Sequence, residues 1–489
     1  MLVPLSVEDS RRLLAFFEEA GYTETVIRKR LVNAELLSSN LRNEARLLDR
    51  TADPTLLNVL LRWFWLRRAE TEAKAAELVP EEFLRLLFES GLLRSLDGRL
   101  AGRCMVLPTD GFLVVADYPV AIEREQSEMV LWPNPTSRLL SRFTIRRHSR
   151  STLDLGTGSG ILSLGAARHS DEVVATDLNE RALVFAKFNA RLNGIENIQM
   201  LGGDCFAPVA NRSFDLILSN PPFFITPQKG YLFCDNPMEL DGLCRRLVKE
   251  APAHLNEDGY LEMLCEWAEV EGQPWQERIA EWFQGTGCDA WVMKGMTQDP
   301  GDYAQQRIRE VNPDAQDDAN FFDGYMTYYR ERGVKAIHDG FIVMRRRSGA
   351  NWVRIEEVPV TPKGDLGAMV LSTFEAEDIL SRLKNDEALL TTKPRLSPHA
   401  RLEQVCAQGE GRWVAESLTL RLVSGFPFHT AMQPLVAEFL VACDGTRTAE
   451  QAIEAFARTQ DAPYETVRRE SLDMLRKLIG RGFMVVPNG

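Results

Sequence analysis

Between residues 6 and 95 the apolar positions recur every three or four residues. Leu13, Leu14, Phe16 and Phe17 form one group, Val26, Ile27 and Leu31 a second, and Leu57, Leu60, Leu61, Phe64 and Trp65 a third. That period predicts amphipathic helices with their apolar stripes turned to a core. PEEFLRLLFESGLL (80–93) sets proline at a helix start and glycine near its end, the asymmetry expected of a helix. The period then shortens. CMVLP and FLVVAD, within 103–118, read as two strands across a turn at Thr109-Asp110-Gly111. From residue 152 short apolar runs alternate with helical ones. The runs are TLDL (152–155), VVAT ahead of Asp177, IQMLGGD (198–204), FDLILS (214–219), YLEMLCEW (260–267), DAWVMK (289–294) and GFIVMRRR (340–347), and ERALVFAKFNARLNG (180–194) is a helix among them. Strand–helix alternation of this kind predicts an α/β sheet. A long insertion, 298–339, carries Tyr303, Phe321, Phe322, Tyr325, Tyr328 and Tyr329, expected to form a small core of its own. Beyond 350, WVRIEEVPV and WVAESLTLRLV are strand-like, and 432–487 reads helix, helix, helix, strand.

Composition narrows the class. A chain of 489 residues is too long for one core, so several domains are expected. A net charge of −13 argues against a protein that coats nucleic acid by charge alone, while leaving room for a local basic groove. Arg138, Arg142, Arg146, Arg147 and Arg150 are the candidates, either as one solvated helix face or as a steering patch for a phosphate backbone or an acidic protein. The eight cysteines, at 104, 205, 234, 244, 265, 288, 406 and 443, include no CxxC pair, and the six histidines have no metal spacing. A reduced, cytoplasmic protein without a structural metal is expected. MLVPLSVEDSRR lacks the layout of a signal peptide, and LLNVLLRWFWL (56–66) is short and interrupted by Arg62, so no membrane association is expected.

Two stretches carry chemistry. TLDL runs into GTGSG, with Gly156, Gly158 and Gly160 allowing a sharp turn and close approach to a ligand. Strand, glycine turn and helix form the nucleotide-binding opening of an α/β sheet. Asp177 ends the next strand, where a carboxylate can accept from ribose hydroxyls. At the end of FDLILS stand Asn220, Pro221, Pro222 and Phe223. Two prolines cannot continue a central strand. The Asn220 oxygen and a freed backbone carbonyl can accept two hydrogen bonds from an –NH2 group, and Phe223 can stack on the planar system that carries it.

GTGSG, Asp177, Asp204 and NPPF, in that order, resemble the class I S-adenosylmethionine-dependent methyltransferases with an (Asn/Asp)-Pro-Pro-(Phe/Tyr/Trp) motif. The resemblance covers roughly residues 131–347. It implies a Rossmann-like sheet of seven strands with the last antiparallel, S-adenosyl-L-methionine as cofactor, and methylation of an amide or exocyclic amine nitrogen. It implies that Asp154, Gly156, Thr157, Gly158, Gly160, Asp177, Leu178, Asp204, Cys205 and Asn220 surround the donor. Asp154 is a candidate for the donor's amino group or a structural acid beside the helix; Asp204 would accept from the adenine amine, with Cys205 and Phe206 lining the ring. Asn220, Pro221 and Phe223 would hold the acceptor. Pro133, Pro135 and Thr136 sit where glutamine-type relatives carry a segment covering the donor. Phe at 223 and the arginine cluster lean to an exocyclic amine of an RNA base as acceptor. The alternative is a glutamine side chain of a translation factor or ribosomal protein. A donor-binding module without turnover is a third reading, against which the intact NPPF speaks. Either acceptor implies a macromolecular partner. CDGTRTAEQAI followed by LDMLRKLIGRGFMVV is similar to PqqD-like winged-helix modules. The expected organisation is a helical domain at 1–100, a β linker at 101–130, the methyltransferase domain at 131–350, a β-rich connection at 351–430 and a winged-helix-like domain at 431–489.

Overall fold

A computed structural model of the chain describes residues 2–31, 44–118, 128–227, 235, 238–311, 319–358, 362–383, 385–409 and 411–486. Cys234 lies outside the described residues. The chain divides into two compact units, one of 1–141 with 147–357, the other of 142–146 with 358–489.

The first unit is built on one sheet. Its strands are β1 (Ser149–Leu155), β2 (Ser170–Asp177), β3 (Ile198–Gly202), β4 (Phe214–Ser219), β5 (Leu255–Val270), β6 (Cys288–Gln298), β7 (Val334–Arg346) and β8 (Val353–Glu357). Their spatial order is β8-β6-β7-β5-β4-β1-β2-β3. Strands β5, β4, β1, β2 and β3 are mutually parallel, whereas β7 runs antiparallel to both β5 and β6. That is the Rossmann-like arrangement expected, with one addition. WVRIEEVPV supplies an eighth strand rather than part of the C-terminal region, because Val353–Glu357 pairs in parallel register with Ala290–Lys294 of β6. The central strands are buried on both faces, as Leu153, Val173, Val174, Leu216 and Ile217 show, which is why they read as unbroken apolar runs. The order of β1, β2 and β4 reverses at β1, so the carboxyl ends of these strands open a crevice beside α1 (Ile161–Ala166) and α2 (Glu180–Leu192).

The N-terminal helices belong to the same unit. Leu13, Phe17, Leu60, Trp63 and Phe64 share a hydrophobic cluster with Ala182, Phe185, Phe188 and Leu192 of α2. The strands Met105–Thr109 and Phe112–Ala116 pair as a hairpin and dock on α2 through two asparagines. Asn189 exchanges both side-chain hydrogen bonds with Val115 (2.8 and 2.9 Å), and Asn193 does the same with Leu113 (2.9 Å each). Asn189 also donates to the Ser159 carbonyl (2.8 Å), so one side chain ties hairpin, helix and glycine loop together. Helix α3 (Gly242–Glu250) comes before the insertion, in which α4 (Pro300–Val311) and α5 (Ala319–Glu331) pack Tyr303, Tyr325 and Tyr329 with Ile225, Ala268 and Ile337. The aromatic cluster is a local core, as expected.

The second unit has its own core, from Leu389 to Val486. Three antiparallel strands (400–409, 412–422 and 429–432) are followed by helices Pro434–Ala442, Ala449–Ala457 and Tyr464–Gly480 and the short strand Met484–Val485. The β-rich expectation for 351–430 omitted a 17-residue helix, Leu366–Arg382. Its side chains Leu366, Val370 and Phe374 are buried at helical spacing, and Asp365 caps it by accepting from the Ala368 amide.

Candidate active site

The crevice holds a cavity of about 230 Å³. A water takes only ~10–15 Å³ on that measure, so this is space for a ligand. Its floor is the loop from β1 to α1. Gly156 and Thr157 donate their amides to the Thr176 carbonyl (2.9 Å each). Gly156 has φ +79° and Gly158 φ +54°, and a Cβ at either would meet no neighbouring atom. Both backbones therefore lie open to the cavity in a conformation that favours glycine. Gly160 differs. It caps α1 at φ +86°, and a Cβ there would sit 3.1 Å from the Ala186 Cβ. It brings the loop against α2 and is not on the cavity wall.

Asp154 is fully buried and does not line the cavity. Its Oδ2 accepts from the Thr157 hydroxyl (2.7 Å), the Ser163 amide (3.0 Å) and the Ser163 hydroxyl (2.5 Å), binding loop to helix from behind. Burial pushes its carboxyl up to about 6, against these hydrogen bonds. Of the two roles expected, the structure favours the structural acid. Thr157 lines the cavity through the same network.

Asp177 stands at the carboxyl end of β2, on the wall. Its Oδ2 accepts from the Gly158 amide (2.9 Å) and its Oδ1 from the Asn179 amide (2.8 Å). Burial raises its carboxyl, and those amides partly offset the rise. Next to it Leu178, 61% exposed, presents an apolar surface to the cavity. Asn179, which the sequence reading missed, caps α2 and donates to the Glu128 carbonyl (2.9 Å), closing the 128–134 segment over the site. Its signal was an N-cap residue directly before the helical run ERALV. Trp132 and Asn134 from that segment also line the cavity. Asn134 accepts from Thr136 Oγ1 (2.7 Å) and the Ser137 amide (2.9 Å).

Asp204 and Cys205 form the rim. The Cys205 thiol donates to Asp204 Oδ1 (3.2 Å) and Arg246 pairs with Asp204 Oδ2 (2.9 Å), which together hold the Asp204 carboxyl below its usual range. Burial, then Asp204, pushes the thiol up to about 12, so it is a neutral wall group. Cys205 takes φ +46° to turn here. Phe206 does not line the cavity: it is buried, stacked 4.5 Å from the His254 ring. The preceding left-handed residue turns it away.

Asn220, Pro221 and Pro222 enter the wall from the end of β4. Asn220 Nδ2 reaches Thr136 Oγ1 at 3.5 Å, and Asn220 Oδ1 is buried with no hydrogen-bond partner among the described residues. A buried orphan acceptor is costly unless something fills it. Phe223 is not on the wall: it is 8% exposed and edge-on to Phe224 at 5.5 Å. The five arginines do not share one helix face. Arg138 pairs with Glu24 (3.0 Å), Arg150 with Asp215 (3.5 Å), and Arg147 donates to the Asp258 carbonyl. Among the described residues no group of three His, Cys, Asp or Glu could hold a metal, and no helix is long and apolar enough to cross a membrane.

A family model, the methyltransferase small domain, matches residues 134–285. A Methanocaldococcus jannaschii protein, provisionally named a protein N5-glutamine methyltransferase, is 30% identical over 139 residues, 27% of this chain and 70% of that one. The chain belongs to the class I S-adenosylmethionine-dependent methyltransferases. A release factor glutamine methyltransferase of Xylella fastidiosa is 37% identical over 157 residues, 29% of this chain. This methyltransferase spans 57% of that relative's length. A ribosomal RNA small subunit methyltransferase C of Alcanivorax borkumensis is 31% identical over 109 residues, 22% of this chain and 30% of that one. Residues 372–487 match a second model, described as a domain of unknown function (DUF7782).

The family's cofactor is S-adenosylmethionine, and the residues of the methyltransferase crevice fit it. The cavity has two glycines without steric cover, a carboxylate at the tip of β2, an exposed leucine beside it and a carboxylate at the rim.

Proposed function

We propose that this chain transfers a methyl group from S-adenosylmethionine to a planar nitrogen held by Asn220, and that the acceptor is a glutamine side-chain carboxamide in a protein of translation. The observation that carries the reading is the buried Asn220 Oδ1 on the wall of the donor cavity, without a partner among the described residues. The bound donor would supply a methyl group already activated on a sulfonium. What remains for the chain is the nucleophile, whose lone pair is delocalised in an amide. Asn220 Oδ1 and the Pro221 carbonyl accept the two N–H groups and turn the lone pair toward the methyl. Orientation of this kind is worth up to ~7–11 kcal/mol. The donor would leave as a neutral thioether, and the methylated nitrogen would give up one proton to water, so no strong base is needed. Asp177, Leu178 and Asp204 bind and orient the donor; Thr157 and Asp154 hold the loop in shape.

An exocyclic amine of an RNA base is the second reading, supported by the name of the Alcanivorax relative. The arginines that weigh for RNA in the sequence are engaged at Arg138, Arg147 and Arg150, and a net charge of −13 favours a protein acceptor. A cytoplasmic setting goes with either acceptor. The test is radiolabelled S-adenosylmethionine incubated with separate RNA and protein fractions from a strain lacking the enzyme. The proposal expects label in protein, recovered as N5-methylglutamine. Label in RNA replaces the acceptor; label in neither refutes the activity.

A further inference from the structure

Pro221 and Pro222 leave the acceptor loop two backbone amides short just after Asn220, yet Asn220 must be held to a fraction of an ångström for its oxygen to act. The next residues show how. The Ile225 amide donates to the Tyr303 hydroxyl (3.1 Å), and the Ile225 carbonyl accepts from the Tyr329 hydroxyl (2.8 Å). Tyr303 in turn donates to Glu266 on β5, which fixes the direction of its proton and leaves its oxygen free to accept from Ile225. The Arg307 guanidinium lies over the Phe224 ring, 3.9 Å from its centre. Ile225, Tyr303 and Tyr329 are each at most 1% exposed. Both backbone groups of one residue, five positions after Asn220, are thus gripped by two helices of the insertion, α4 and α5, through neighbouring tyrosines. Neither helix touches the donor cavity, and neither lies within the stretch that matches the methyltransferase small domain.

We propose that α4 and α5 are a clamp on the acceptor loop, with Tyr303 and Tyr329 as positioning residues that set Asn220 for methyl transfer. The inference rests on the acceptor role of Asn220 given above. Glu266 belongs to the clamp as the acceptor that orients Tyr303.

The test uses the full chain with Tyr303→Phe, Tyr329→Phe and the double substitution. Each keeps the ring in its packing and removes one hydroxyl. Tyr328→Phe is the control: its hydroxyl, on the same helix as Tyr329, accepts from the Leu240 amide (3.0 Å) rather than bonding Ile225. Amide exchange read by mass spectrometry on peptides covering 220–227 is expected to quicken about tenfold per hydroxyl lost, with β1 and β2 unchanged and the control silent. Calorimetry is expected to show S-adenosylmethionine affinity within about twofold of wild type. Label transfer to the protein fraction is expected to lose about tenfold or more in kcat, with little change in KM. Unchanged exchange at 220–227 in the double variant overturns the clamp. Faster exchange with unchanged turnover overturns the positioning role and leaves ordinary core packing. A wild type that labels neither fraction overturns the function, and the exchange result then decides the clamp by itself. Should Tyr303→Phe not fold, Tyr329→Phe decides alone, since its hydroxyl is not bonded to Glu266.

Discussion

Replacing Asn220 by alanine separates what this residue does for the fold from what it does for chemistry. In the folded chain its side chain makes one long hydrogen bond, 3.5 Å to Thr136, and leaves Oδ1 buried without a partner among the described residues. Alanine forfeits the long bond, worth at most ~0.5–1.5 kcal/mol, and relieves an unsatisfied acceptor that costs ~1–3 kcal/mol. Stability is therefore expected to hold or to rise slightly, with a melting temperature no more than about 2 °C below wild type. Turnover should move the other way. An acceptor aimed at the amine in the transition state resembles a single preorganised oxyanion-hole donor, whose loss costs ~10²–10³ in kcat. Donor affinity should stay within about threefold, because the proposed ribose and adenine contacts are Asp177, Leu178 and Asp204. The assay is a trio on one preparation: thermal unfolding with and without S-adenosylmethionine, calorimetry of donor binding, and label transfer. A variant that keeps turnover within about fivefold would reduce NPPF to a strand terminator. A large loss of melting temperature would show instead that Oδ1 has a structural partner.

Three further outcomes follow from the donor side. Asp177→Ala removes the proposed ribose acceptor and frees the Gly158 and Asn179 amides, so calorimetry should show donor binding weakened ~10- to 150-fold. Gly160→Ala forces a side chain into φ +86° and to 3.1 Å from Ala186; denaturant unfolding should show a loss of ~1–3 kcal/mol. Burial raises the Asp154 carboxyl to about 6 from its ordinary 3.8, so the folded chain keeps a proton that the unfolded chain has lost. That contribution is full below about pH 4 and disappears as pH rises through about 6, a swing of about 3 kcal/mol. Asp154→Asn should remove this slope, and parallel stability profiles of variant and wild type between pH 4 and 7.5 would contradict it.

Much of the donor half was legible because its determinants are local. The glycine loop, Asp177 and NPPF are each a few residues long, and the backbone geometry they demand is written in residue type. The misreadings came from partners distant in sequence. Arg138 and Arg150 read as one basic cluster, but Glu24 and Asp215, 114 and 65 positions away, engage them separately. Asp154 has the residue type for a ligand contact, but Thr157 and Ser163 bind it inward. Phe206 stands beside a functional residue, but its ring finds His254, 48 positions on; Phe223 is the exception, turned edge-on to its own neighbour Phe224. WVRIEEVPV had a strand's composition, but which sheet it joined depended on an open edge at β6.

The division of the site between local and distant determinants bears on substrate choice. The residues proposed to hold the ribose and adenine lie between Gly156 and Cys205, inside the stretch matched by the family model. The acceptor side requires Asn220 in the same chemical role but at an orientation suited to a particular macromolecule. Here the loop bearing it is tied at Ile225 to helices beyond residue 298, past the end of that stretch. A change in α4 or α5 can thus re-aim the acceptor cage without disturbing the donor cavity, whereas a change in the glycine loop would disturb both. On this reading the inserted helices, rather than the donor crevice, are where differences in acceptor should be written. Exchanging the insertion should alter which fraction is labelled while leaving S-adenosylmethionine affinity within about threefold, and a swap that weakened donor binding in step with turnover would argue that the two halves are not separable.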